Sequence, residues 1–145
     1  LEAVLEFNPT FTNAYYQMGI NYELMGKTQE AESQYRHYLD LNMQWLTDHP
    51  EDLGSVYFNA LTLTRLGEAE QGLEKGEKAY RADTSKHMDY AMLLAVQGDI
   101  SQALDQVGLA LESGYRDYCW IKMNPDLAEL QDEDRFKELL EQYFN

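Results

Sequence analysis

The sequence predicts an all-α chain built from antiparallel helical hairpins, and three observations carry that prediction. Apolar residues recur at helical intervals through most of the 145 residues, only three prolines interrupt the chain, and glycines at 26, 67 and 98 each stand between two such stretches.

The elements follow in order. Between Ala14 and Leu24 the apolar residues keep the helical interval, and Met25-Gly26 ends the run because Gly adopts the left-handed C-cap conformation. Thr28 is placed to cap a second helix, whose apolar face of Ala31, Tyr35, Tyr38 and Leu39 runs to about Leu46. Two helices joined by so short a turn are antiparallel neighbours. The unit returns around Gly67, with Val56, Ala60, Leu63 and Leu66 before it and a helix from Glu68 to Ala82 after it. It returns again around Gly98. Tyr90, Ala91, Leu94 and Ala95 precede that glycine; Asp99 with Gln102 then reads as a capping box, and Ala103, Leu104, Val107, Ala110 and Leu111 form the inward stripe. The glycines lie 41 and then 31 residues apart. The surplus falls around Met43 to Asp52, where a lengthened helix or loop is expected before Pro50 opens the next hairpin. Beyond Gly114 the pattern changes. Asn124-Pro125-Asp126-Leu127-Ala128-Glu129-Leu130 reads as a capped, Pro-initiated short helix. From about Asp132 a final helix carries Phe136, Leu139, Leu140, Tyr143 and Phe144 on one stripe.

These residues resemble the tetratricopeptide repeat, whose pattern is W-x2-L-G-x2-Y, then A-x3-F, then P over about 34 residues. In the first hairpin Tyr15-x2-Met18-Gly19-x2-Tyr22 matches the first part and Ala31-x3-Tyr35 the second, while Met43 stands at the pattern proline. The second hairpin departs from the pattern, with Gly72 and Gly76 where the family has a small residue and an aromatic. The third matches through His87, Tyr90-Ala91, Leu94 and Ala103-x3-Val107. The ending, with Arg135-Phe136 and Leu139-Leu140 after Asn124-Pro125-Asp126-Leu127, resembles the closing segment of many bacterial tetratricopeptide proteins. The resemblance implies an α-α superhelix of about seven or eight helices with a C-terminal capping helix. It divides the chain into the end of an earlier repeat (1–11), three repeats (12–52, 53–83 and 84–114) and a closing segment (115–145), together one solenoid.

Composition narrows the function. Twenty-six acidic against eleven basic residues give a net charge of −15, a field that repels phosphate backbones and anionic membrane surfaces, so nucleic acid is not an expected partner. That charge serves solubility or steers basic peptides towards the chain. No apolar run reaches the roughly 18 to 20 residues that span a bilayer. Cys119 is the sole cysteine. A single thiol fits a reducing compartment, which makes cytoplasm the expectation, and its neighbours Tyr118, Trp120 and Ile121 point to a buried packing role. His37, His49 and His87 fall on different elements without metal-ligand spacing. Asp132-Glu133-Asp134 reads as dipole-stabilised first-turn acids rather than a calcium loop. No phosphate loop, nucleophile elbow or zinc motif occurs, so neither an enzyme nor a cofactor is expected.

The expected site is therefore a surface. In the family, the first helix of each hairpin lines a concave groove that receives a peptide. By that resemblance the groove consists of Tyr16, Ile20 and Glu23, flanked by Asn13 and Gln17, then Tyr57, Leu61, Thr64 and Arg65, and then Met88 and Met92. Tyr16 and Tyr57 lie off the packing stripes, which suits exposed anchors. Ile20 and Leu61 stand where the family's carboxylate clamp has amides. The functions this implies are a protein-binding scaffold, a regulatory or substrate-docking domain of a larger enzyme, or a homo-oligomerising segment. The alternative for the groove is coverage by the chain's own flanking segment or by another subunit.

Overall fold

In a computed structural model, which describes residues 9–145, the chain is all-helical, with no strand among the described residues. The helices are α1 (Pro9–Leu24), α2 (Thr28–Asp48), α3 (Leu53–Arg65), α4 (Ala69–Ala82), α5 (His87–Val96), α6 (Ile100–Glu112) and α7 (Tyr118–Met123). A 3-10 helix (Pro125–Leu130) and α8 (Asp134–Phe144) complete the order. Residues 1–8, most of the stretch read as the end of an earlier repeat, lie outside the described residues. Pro9, Thr10 and Phe11 belong to α1, with Pro9 at its first position.

The three glycines end helices as the sequence predicts, and Gly114 does so a fourth time. At the first turn the Lys27 amide donates to the Tyr22 carbonyl at 2.8 Å and the Gly26 amide to that of Glu23 at 2.9 Å. This is the paired bond of a left-handed helix stop, with Gly26 at φ 72°. The same closure displaces the expected cap. Lys27, already committed to the turn, becomes the N-cap of α2 without a side-chain bond, and Thr28 is the first helical residue. Aspartates at 52, 99 and 117 do cap the helices they precede, while Glu133 makes no side-chain cap bond to α8. Asp99 accepts from the Gln102 amide at 3.1 Å and Asp117 from that of Trp120 at 2.9 Å. The surplus of residues after Met43 extends α2 to 21 residues. The chain then turns through Pro50, so that Asp52, not Pro50, initiates α3.

The chain divides into two compact units between Gly72 and Leu73, within α4. In the first, α1 packs along α2, and α3 lies against both. Contact is close where Gly19 faces the ring of the fully buried Tyr35, and where Gly72 faces the Ala60 carbonyl and the Thr64 hydroxyl. In the second, α5 pairs with α6, the 3-10 helix lies on both, and α8 packs on α6. The core of that unit includes Leu93, Val107, Leu111, Ile121, Leu127, Leu130 and Phe136. Only part of the final helix's expected stripe is fully buried: Phe136 and Leu140 are, while Leu139, Tyr143 and Phe144 remain half-buried. None of the described helices is long and apolar enough to cross a membrane.

Candidate functional site

The expected groove positions divide into a buried row and an open row. Tyr16, Ile20, Tyr57, Leu61, Met88 and Met92 are all buried, which corrects the expectation that they form an exposed aromatic, aliphatic and methionine patch. The reason is lateral packing. With α1 beside α3, a residue one step off the hairpin stripe is shared between neighbouring helices instead of facing solvent. Tyr16 shows this best. Its ring meets Phe58 of α3 edge-on at 5.5 Å and lies 5.8 and 6.0 Å from Tyr35 and Tyr38 of α2.

The open row in the first unit consists of half-buried Asn13, Gln17, Thr64 and Arg65 and exposed Glu23. Here the structure brings predicted residues together. Arg65 Nε donates to the Tyr16 hydroxyl at 2.8 Å, its Nη1 donates to Glu23 Oε2 at 3.0 Å, and its guanidinium lies 5.6 Å from the centre of the Tyr16 ring. The Arg65 side chain is only 13% exposed, so its planar fork is fixed before any ligand arrives. A cleft of about 180 Å³ runs beside it, between Glu23 and Leu66 on one side and Thr28, Ala31 and Tyr35 of α2 on the other.

In the second unit, the chain's own closing segment covers one of the expected anchors. Asn124 caps the 3-10 helix by accepting from the Asp126 amide at 2.9 Å, and its Nδ2 donates to Met92 Sδ at 3.5 Å. Met88, at the other end of α5, borders an open cleft.

Sequence reasoning missed a buried polar corner between α2 and α3. Asn42 Nδ2 donates to the Ser55 carbonyl at 2.9 Å and to the Tyr38 hydroxyl at 3.1 Å, while Asn42 Oδ1 accepts from Asn59 at 2.8 Å. Burial drives the Tyr38 hydroxyl far above its ordinary pKa, with Asp52 adding to the rise and the Asn42 bond opposing it. Nearby, Asp52 accepts from the Ser55 amide at 3.1 Å, the Ser55 hydroxyl at 2.8 Å and the Trp45 indole at 2.8 Å. Partial burial pushes its carboxyl up. The bonds from Ser55 and Trp45, with the charge of His49, outweigh that and hold it below its ordinary value.

The three histidines stand apart, each in its own aromatic contact. His37 meets Tyr15 edge-on at 4.3 Å, His49 stacks on Trp45 at 3.6 Å, and His87 lies beside Tyr80 with Nδ1 2.9 Å from Gln106 Oε1. Cys119 is exposed, not buried as its neighbours suggested. A six-residue helix has one inward position here, and Ile121 takes it, leaving Tyr118, Trp120 and Met123 45%, 40% and 80% exposed. The geometry defines an all-α protein of glycine-turned hairpins. No family model, no curated protein and no solved structure matches the chain.

Proposed function

We propose that this chain is an interaction module that holds an extended segment of another protein along the shared face of α1 and α3, within a tetratricopeptide-like superhelix. The role is binding rather than chemistry, and no cofactor takes part. The observation that carries the reading is Arg65. It is a largely buried cation fixed between Tyr16 and Glu23 at the junction of two first helices, with half-buried Asn13 and Gln17 on α1. Pre-set polar groups over an aromatic floor suit a peptide backbone, because less side-chain freedom is lost on binding. Peptides selected from a random library on the wild-type chain should lose about tenfold in affinity when Asn13 and Gln17 are both replaced by Arg, which blocks the face without touching the core. Unchanged affinity would show that the peptides bind elsewhere.

A second reading, pairing of two copies, is favoured by one feature. Tyr118, Trp120 and Met123 are exposed on α7, and Tyr118 borders a cleft of about 600 Å³ lined also by Leu140 and Phe144. Light scattering at rising concentration should then report a dimer mass that Trp120→Ser lowers. A constant monomer mass rejects pairing.

A further inference from the structure

At the amino-terminal end of α5 lies a cleft of about 390 Å³, bordered by Met88, Ala110, Ser113 and Tyr115 together with Lys86 and Asp89. Its volume falls near the lower end of the roughly 300–1,000 Å³ occupied by small-ligand sites. Asp89 is half-buried there and makes no hydrogen bond or ion pair among the described residues. A carboxylate taken partly out of water and left unpartnered is costly. Its place in the first turn of α5 gives it the helix dipole but no donor. Burial accordingly raises its pKa, with the charge of Lys86 pulling the other way. The cleft is also electronegative at its far wall. The Tyr115 hydroxyl is pushed up to about 12, first by burial and then by Asp117 and Asp89.

We propose that this cleft receives the basic side chain, Lys or Arg, of a bound peptide, with its charge on Asp89 and its methylene stem along Met88, Ala110 and the Tyr115 ring. The proposal rests on the reading of the chain as a peptide-binding module, and it names the residue class that this cleft selects. Three features suit a cation with an apolar stem: the unpartnered carboxylate, an aromatic and thioether wall, and a net charge of −15 that steers cations towards the chain. An anion is disfavoured because it would meet the Asp89 carboxylate, with Asp117 acting on the Tyr115 wall. Lys86 is the internal competitor. It lines the same cleft without forming an ion pair with Asp89, so removing it strengthens cation binding while neutralising Asp89 weakens it.

The test uses n-butylammonium as probe and n-butanol as its uncharged control, read by NMR on the Met88 methyl and Tyr115 ring signals of the whole chain. Saturable shifts with the amine alone are expected, about tenfold weaker in Asp89→Asn and stronger in Lys86→Met, with all three proteins melting alike. An equal response to the amine in wild type and Asp89→Asn, or an equal response to the alcohol, overturns the proposal. Library-selected peptides supply the second arm: exchanging their basic residue for norleucine should cost about tenfold on wild type and little on Asp89→Asn. Binders indifferent to both changes would overturn this inference and leave the module reading intact. A failure to select any peptide, with the amine response preserved, would overturn the module reading and peptide recognition by this cleft together.

Discussion

One substitution made at two places should move stability in opposite directions. Glycine inside a helix costs about 1 kcal/mol relative to alanine, so Gly→Ala stabilises wherever the added methyl meets no obstacle. Gly108 lies within α6, and a Cβ there would come no closer than 3.8 Å to the Leu139 methyl, an ordinary contact. Gly108→Ala should therefore gain most of that 1 kcal/mol, with slight added burial against α8. Gly72 lies near the start of α4, where a Cβ would stand 2.6 Å from the Ala60 carbonyl oxygen and 2.5 Å from the Thr64 hydroxyl. The hydroxyl can rotate away, but the carbonyl belongs to the backbone of α3 and cannot. Overpacking of this kind costs typically 1–3 kcal/mol, and here the helices must also separate, so the loss outweighs the propensity gain. Gly72→Ala should lose about 1–2 kcal/mol net. Urea unfolding followed by circular dichroism resolves this, because a slope of about 1–2 kcal/mol/M turns 1 kcal/mol into a midpoint shift of roughly 0.5–1 M. Midpoints that move the same way, or a stabilised Gly72→Ala, would refute the close approach of Gly72 to the α3 backbone.

Two further outcomes follow from the polar corner between α2 and α3. Asn42→Leu keeps the volume but removes the donor to the Ser55 carbonyl and the Tyr38 hydroxyl, and should lower the unfolding free energy by about 2–4 kcal/mol in the same assay; a loss under about 0.5 kcal/mol would mean that water satisfies the corner. Asp52→Ala should cost about 1 kcal/mol at neutral pH through the lost cap on α3. Because the folded pKa of Asp52 lies below its ordinary 3.8, its extra stability is present above that value and disappears as pH falls through the lower folded one. The two proteins should therefore converge in acid, and a gap independent of pH down to 2 would contradict the assignment.

What the sequence revealed and what it hid have the same origin, the range of the interaction involved. Gly26, Gly67 and Gly98 were legible because a left-handed helix stop is a property of one residue and its own helix. Asp99 was legible because a cap reaches only three residues. Thr28 misled because two local rules competed for one place, and the helix stop at Gly26 claimed Lys27 first. Burial of the groove row was not legible, because Tyr16 is covered by Phe58, 42 positions away, and nothing near Tyr16 in sequence announces it. Asn42 falls in between. It continues the stripe of Ala31, Tyr35 and Tyr38 by four residues, so its burial was readable; its partners Ser55 and Asn59 were not. Asp89 drew no notice in the sequence, and only the fold places it half-buried in a cleft where no lining side chain bonds it.

The central claim is that the face shared by α1 and α3 binds peptide, with Arg65 fixed in place to receive it. Calorimetric titration of one library-selected peptide into wild type and into the chain carrying both Asn13→Arg and Gln17→Arg tests it most directly. The account predicts micromolar-range binding to wild type that weakens about tenfold in the blocked chain, with the unfolding midpoint unchanged. Equal affinity for both proteins would contradict it.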